Sequence, residues 1–93
     1  MKNLFDIKDK VIVINRRLWH FRKNIANYLA EQGAKIVILD RVEEAGRELE
    51  AELNRKSEAL FLVTDVLNKE VLEENKKAIL ERFGTIDVLL NAQ

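Results

Sequence analysis

Short apolar runs alternate with longer amphipathic stretches along the whole chain. Four of the runs are continuous rather than alternating, which is typical of strands buried on both faces. They are KVIVI (10–14), KIVIL (35–39), ALFLV (59–63) and IDVLLNA (86–92). The stretches between them, at 23–32, about 42–54 and about 69–83, carry apolar residues at helical spacing. The pattern therefore predicts the order β-α-β-α-β-α-β.

The predicted helices have recognisable faces and ends. The first places Ile25 and Leu29, flanked by alanines, at a spacing of four, and Gly33 follows as a C-terminal cap. The second spaces Ala45, Leu49 and Leu53 in the same way. Because the strands are buried runs separated by helices, we expect a parallel sheet with right-handed crossovers in an α/β fold.

Length and composition limit the class of protein. With 93 residues, the chain is expected to form one small domain or part of a larger one. Sixteen basic residues balance sixteen acidic ones, so no overall field attracts nucleic acid or a membrane surface. The chain has no cysteine, no signal-peptide pattern and no apolar run of the roughly 18–20 residues that span a membrane. We expect a cytoplasmic protein.

The carboxyl ends of the predicted strands hold the candidate binding residues, because ligands of parallel sheets bind at that edge. Asp40 ends the second strand, where an acid can accept hydrogen bonds from ribose hydroxyls and repel the extra phosphate of NADP. The alternative is a solvated acid that caps the next helix, and neighbouring Arg41 leaves the choice between NAD and NADP open. Asp65 could contact an adenine amino group, or serve only as a helix N-cap or turn residue. Asn91 could support the cofactor or satisfy local backbone.

Together these segments resemble the N-terminal portion of the short-chain dehydrogenase/reductase family. The segments are FDIKDKVIVI, AEQGAKIVILDR, VTDV and ERFGTIDVLLNA. The resemblance covers essentially all 93 residues and implies a partial Rossmann fold, a four-stranded parallel sheet in the order 3-2-1-4 with three helices. Residues 1–93 would form the N-terminal part of a single NAD(P)-binding domain. The family's catalytic Ser-Tyr-Lys set would lie beyond residue 93, so no catalytic residue is assigned.

The resemblance also implies a set of cofactor-binding positions. They are Asn15, Arg16, His20, Phe21, Arg22, Asp40, Arg41, Asp65, Val66, Asn91 and Ala92. The implied cofactor is NAD or NADP, with NAD favoured by Asp40. No metal site is expected, since His20 is the only histidine and has no ligand at a suitable spacing.

One departure from the family falls between the first strand and the first helix. The family has a glycine-rich turn there, whereas residues 15–22 read NRRLWHFR and contain no glycine. Glycines let the backbone approach the pyrophosphate at the helix N-terminus. An arginine could attract phosphate, but bulky side chains in this space are expected to block the cofactor.

A shift of reading frame would account for this departure. One permitted choice of codons for residues 15–23 is AAC CGG CGG CTT TGG CAT TTT AGG AAA, and reading that choice one base later gives Thr-Gly-Gly-Phe-Gly-Ile-Leu-Gly. The pair Trp19-His20 yields a glycine in that frame whatever codons are chosen elsewhere. A single lost base near codon 93 would likewise turn a family continuation into the final Ala-Gln. The hypothesis is a dehydrogenase gene with compensating indels, and the shifted turn is similar to that of fructuronate (mannonate) reductase-like members.

The sequence is therefore interpreted as an N-terminal fragment of an NAD(P)-dependent oxidoreductase that acts on a sugar acid, and this chain is expected to be inactive. Two alternatives stay open, a non-enzymatic binding or interaction module and an engineered half-Rossmann scaffold. The basic and aromatic residues of 16–23 superficially resemble a nucleic-acid patch, but the footprint is small and we expect no nucleic-acid or membrane partner. We expect self-association through an exposed sheet edge and an uncovered sheet face.

Overall fold

The chain folds as alternating strands and helices. A computed structural model describes residues 7–15, 19–65 and 68–90, and it describes the backbone alone for residue 15 and residues 19–23. The strands are β1 (Val11–Asn15), β2 (Lys35–Asp40), β3 (Ala59–Val63) and β4 (Val88–Leu90). The helices are α1 (Trp19–Glu31), α2 (Glu43–Asn54) and α3 (Lys69–Phe83). The predicted order of elements is confirmed.

Two of the predicted boundaries were wrong by several residues. Helix α1 begins at Trp19, four residues before its predicted start. No glycine or proline separates Trp19 from the rest of the helix, so nothing in the local sequence delays its start. Strand β4 begins at Val88, two residues after its predicted start at residue 86, and Leu90 is its last described residue.

The four strands form one parallel sheet in the order β3-β2-β1-β4, as predicted. In the register, Val13 lies opposite both Val37 of β2 and Leu89 of β4. On the other side of β2, Asp40 pairs with Val63 of β3. The first two strands in the chain are thus central, and β3 and β4 form the two edges.

Each sheet face has its own core. On one face α1 and α2 bury the even-numbered residues of β1 and β2 together with Ala59 and Phe61. On the other face Ile79 of α3 packs against Val11, Val13, Val37 and Leu39. The division of helices between the faces follows from the right-handed crossovers expected of a parallel sheet.

The buried side chains of α1 are not all the ones that the apolar spacing predicted. The buried residues are the alanines, Ala26 and Ala30, with Leu29 packed at the margin. Ile25 is 41% exposed. Small alanines let α1 lie close to the sheet, and this geometry turns Ile25 towards the helix flank.

Helix α2 lies in direct contact with strand β3. Gly46 is buried, and a Cβ atom at this position would overlap the ring of Phe61. Leu49 and Leu53 complete the buried face, as their spacing predicted, while Gly46 takes the central place expected for Ala45. The absent side chain is what allows the helix backbone to reach the edge strand.

Candidate functional site

The candidate site is the edge of the sheet where β1, β2 and β3 end. Asn15 ends β1 opposite Leu39, one residue before Asp40 ends β2. Strand β3 ends beside it, and the N–H of Thr64 donates to the carbonyl of Asp40 at 2.7 Å. Because paired strands lie about 4.8 Å apart, the backbones of Asp40 and the residues after β3 are close neighbours.

Asp40 is buried, with 1% of its surface exposed. Its Oδ1 accepts from the N–H of Arg41 at 2.6 Å and from the N–H of Val42 at 3.2 Å. A buried carboxylate needs such donors because its desolvation is costly. The alternative of a solvated acid was therefore wrong, although the carboxylate does hold the turn into α2. A ribose hydroxyl could reach it only if a group that now covers it moved.

The turn into α2 depends on Asp40 rather than on a helix cap. Val42 occupies the N-cap position with extended backbone and makes no side-chain cap hydrogen bond. Arg41 is exposed in this turn. The first turn of α2 carries Glu43 and Glu44, whose negative charges interact favourably with the positive end of the helix dipole.

The end of β3 is fixed by a buried hydroxyl. Thr64 is 0% exposed, and its Oγ1 donates to the carbonyl of Leu62 at 2.9 Å. The same Oγ1 accepts from Nδ2 of Asn75 on α3 at 2.6 Å. This chain of two hydrogen bonds attaches α3 to the strand end that precedes Asp65.

Asp65 is exposed and lies at the start of the turn into α3. Its carbonyl accepts from the N–H of Asn68 at 2.9 Å. The N-cap of α3 is Asn68, whose Oδ1 accepts from the N–H groups of Glu70 and Val71. The alternative that made Asp65 the N-cap was therefore wrong.

The glycine-free segment is largely helical. His20, Phe21 and Arg22 lie in the first turn of α1, directly after Trp19. Only three residues, 16–18, separate the end of β1 from this helix, and Arg16 is one of them. The sequence analysis placed a phosphate-binding turn of eight residues at 15–22, whereas only three residues lie between β1 and α1.

Four of the predicted positions lie outside the described residues. They are Arg16, Val66, Asn91 and Ala92. Within the described part of the chain no group of three His, Cys, Asp or Glu side chains could hold a metal ion. None of the described helices is long and apolar enough to cross a membrane.

Two residues of this edge were missed by the sequence analysis. Asn68 had a usable signal, since an asparagine directly before a predicted helix is a common N-cap. Asn75 had none, because its partner Thr64 lies eleven positions away on another element. Only the packing of α3 on the sheet brings this pair together.

Comparison with known proteins agrees with this arrangement. The family described as short chain dehydrogenase matches residues 21–92. A trans-4-hydroxycyclohexanecarboxylate dehydrogenase of Sinomonas cyclohexanicum is 35% identical over 92 residues, which cover 91% of this chain and 36% of that protein. The chain thus spans about a third of the length of such relatives.

Solved structures with bound dinucleotides have the same fold. An NAD⁺-bound xylitol dehydrogenase superposes with a TM-score of 0.87 at 31% identity, over 94% of this chain and 34% of that one. The L-sorbose reductase of Gluconobacter frateurii, complexed with NADPH and L-sorbose, gives 0.81 at 26% identity over 96% of this chain and 35% of its own. Nicotinamide dinucleotides are therefore the cofactors of these neighbours. The chain belongs to the short-chain dehydrogenase family.

Proposed function

We propose that residues 1–93 are the N-terminal part of a single NAD(P)-binding Rossmann domain of an oxidoreductase, and that they supply the adenosine side of its cofactor site. The observation that carries this proposal is the placement of Asp40 and Asp65 at the ends of two paired strands, β2 and β3. Ligands of parallel sheets bind at this edge. The dinucleotide-bound neighbours support the same cofactor class.

For a domain of this kind with an intact phosphate turn, NAD is the preferred cofactor. A carboxylate at the end of β2 favours ribose hydroxyls and repels the phosphate that distinguishes NADP. Asp40 has this position and is held there by two backbone N–H groups. The exposed Arg41 beside it could still accommodate that phosphate, which makes the preference an experimental question.

The unaltered chain binds neither dinucleotide and has no dehydrogenase activity under this proposal. Residues 15–22 contain no glycine, and helix α1 already begins at Trp19. Glycines at these positions would let the pyrophosphate contact backbone N–H groups, and the bulky residue types of this sequence are expected to prevent that contact. The 1% exposure of Asp40 adds a second obstacle on the ribose side.

The substrate class that we propose for the intact enzyme is a sugar acid. The support is the turn Thr-Gly-Gly-Phe-Gly-Ile-Leu-Gly that the shifted reading frame restores, since this turn is similar to that of fructuronate reductase-like family members. Genomic DNA across codons 14–93 tests the origin of the segment. Codons that give no glycines in the shifted frame would exclude the frame-shift hypothesis.

Calorimetric titration tests the cofactor proposal. NADH and NADPH are titrated into the unaltered chain and into a variant whose residues 15–22 are replaced by Thr-Gly-Gly-Phe-Gly-Ile-Leu-Gly. We expect no heat of binding from the unaltered chain, and binding of NADH by the variant at least tenfold tighter than that of NADPH. Asp40→Asn in the variant should reduce this preference. Micromolar binding of NADH by the unaltered chain would contradict the proposal.

We also propose that the chain associates with itself. All three residues of β4 are exposed, and the largest exposed fraction is 58% at Leu89. Apolar surface at an unpaired strand favours association. Sedimentation velocity over a range of concentrations should show species larger than a monomer, and a monomer throughout the range would contradict the proposal.

A further inference from the structure

One polar residue lies on the apolar face of α3. The residues that follow one another at spacings of three and four on this face are Leu72, Asn75, Ile79 and Phe83. Ile79 is buried against the sheet, and Phe83 packs beside it. An amide among such neighbours needs a hydrogen-bond partner to offset its desolvation. The packing of α3 on the sheet therefore does not by itself explain an asparagine at position 75.

The partner of Asn75 is Thr64, which directly follows β3. Nδ2 of Asn75 donates to Oγ1 of Thr64 at 2.6 Å. This hydroxyl belongs to a fully buried residue and donates in turn to the carbonyl of Leu62, so its orientation is fixed. The N–H of Thr64 donates to the carbonyl of Asp40 at 2.7 Å. Thr64 is thus held by β2 on one side and by α3 on the other.

These contacts fix the backbone on both sides of Asp65. Thr64 directly precedes Asp65, and the carbonyl of Asp65 accepts from the N–H of Asn68 at 2.9 Å. Asn68 is the N-cap of α3, and Asn75 lies about two helical turns further along the same side. Helix α3 therefore holds the turn after β3 at two points. The exposed Asp65 extends from a backbone that the helix keeps in place.

We propose that Asn75 is a positioning residue for Asp65, and that it acts through Thr64 to give the site its preference for adenine. The inference rests on the proposed function above, in which this edge of the sheet supplies the adenosine side of a dinucleotide site. The carboxylate of Asp65 can accept a hydrogen bond from the amino group of adenine. Such a bond weakens steeply when its angle is poor, so the placement of the carboxylate decides how well the base is recognised.

Amide hydrogen exchange in the otherwise unaltered chain tests the attachment. In Asn75→Ala, the N–H groups of Thr64 and Asn68 should exchange about tenfold faster, because the turn has lost one of its two anchors. The N–H of Val37, buried in the middle of the sheet, should keep its rate. Lys76→Ala is the matched control, since it changes the exposed neighbour of Asn75 and should leave all three rates unchanged. Equal acceleration at Val37 would overturn the inference, because Asn75 would then stabilise the whole domain rather than the turn.

The preference between two ligands tests the positioning role. The glycine-turn variant described above, with residues 15–22 replaced, is titrated with NADH and with reduced nicotinamide hypoxanthine dinucleotide. The second ligand carries an acceptor oxygen where adenine carries its amino group. With Asn75 present, NADH should bind about tenfold more tightly, because only adenine can donate its amino hydrogen to the Asp65 carboxylate. Asn75→Ala should lower this ratio to about twofold or less. A role in stability alone would weaken both ligands equally and leave the ratio unchanged, which would overturn the inference.

Two substitutions of Thr64 test whether Asn75 acts through the hydroxyl. In the glycine-turn variant, Thr64→Ser keeps the hydroxyl that accepts from Asn75 and should keep the preference for NADH. Thr64→Val keeps the shape of the side chain but removes the hydroxyl, and it should lose the preference as Asn75→Ala does. An undiminished ratio in Thr64→Val would overturn the path through Thr64.

The outcomes also distinguish this inference from the proposed function. If the glycine-turn variant binds neither ligand, the proposed function fails and the inference fails with it. If that variant binds NADH and its ratio is the same with and without Asn75, the inference alone is overturned. If the variant binds both ligands equally while Asn75 is present, Asp65 does not recognise adenine, and the inference is again overturned without the proposed function.

Discussion

The two edge strands of this sheet have similar composition but different surroundings. Strand β3 follows a helix that returns directly along it, and α2 places Glu50 and Asn54 on its outward backbone groups. Strand β4 is covered by no described helix, and its three residues are all exposed. A strand edge is thus protected by the element beside it more than by its own residues.

The protection at β3 requires α2 to lie unusually close. Gly46 supplies that closeness, because the helix backbone rests on the ring of Phe61 without an intervening side chain. Arg47, one residue later, places its guanidinium 5.3 Å from the centre of the same ring. The covering of the β3 edge therefore depends on a helix contact as well as on two hydrogen-bonding side chains.

The largest expected effect comes from removing the two side chains of α2 that cover β3. Glu50→Ala with Asn54→Ala deletes the partners of three backbone groups, of which the N–H of Phe61 is well buried. At about 1 kcal/mol each, the free energy of unfolding should fall by about 3 kcal/mol. Sedimentation should also show more self-association than in the unaltered chain, because the outward backbone groups of β3 then have no side-chain partners.

Two control variants accompany this prediction. Glu50→Gln keeps an acceptor oxygen for Phe61 and should retain most of the stability. Arg47→Ala removes the 3.2 Å ion pair with Glu50, and since Arg47 is 54% exposed its loss should cost under about 1 kcal/mol. A double variant that is destabilised but associates no more than the unaltered chain would show that other groups cover β3.

The next-largest effect is expected for Gly46→Ala. The sign of its change in the free energy of unfolding tests the contact between α2 and β3. Helix propensity alone predicts a gain of about 1 kcal/mol from this change. Overlap of the new Cβ with Phe61 instead predicts a cost of about 1–3 kcal/mol. We expect the overlap to dominate and urea denaturation to show a net loss of about 1–2 kcal/mol.

A control variant on the same helix measures the effect of helix propensity alone. Ala51→Gly changes an exposed position of α2 and should cost about 1 kcal/mol through propensity alone. Phe61→Leu combined with Gly46→Ala should recover part of the lost stability, since the smaller leucine side chain leaves room for the new Cβ atom. A stabilised Gly46→Ala would contradict the close contact.

The fold was predictable from the sequence because each element carries its own signal. The continuous run ALFLV gives β3 its exact bounds, and the amphipathic stretch from Lys69 gives α3 its exact bounds. The family resemblance then fixed the strand order. The early start of α1 was missed because the family comparison treated residues 15–22 as a turn, whereas their own composition permits a helix.

The surroundings of the site residues were less predictable. The position of Asp40 at the end of β2 followed from the run before it, but its burial did not. Burial depends on neighbouring elements that a single segment does not reveal. The same holds for Glu50 and Asn54, which look like ordinary solvated residues of a charged helix until α2 is packed on β3.

The smallest effect is expected on the β4 side, at Asp87. Its Oδ2 accepts from the N–H of Val11 at 2.8 Å, so this side chain ties the entry of β4 to β1. Asp87 is exposed, and water can partly replace the lost acceptor. Asp87→Ala should therefore lower the free energy of unfolding by under about 1 kcal/mol, and Asp87→Asn, which keeps an oxygen, by less. Neither should alter the sedimentation of the chain, because the bond does not involve the outward groups of β4. A change of assembly state in Asp87→Ala would mean that the bond to β1 also controls the exposed edge of β4, and the edges at β3 and β4 would then differ in degree rather than in kind.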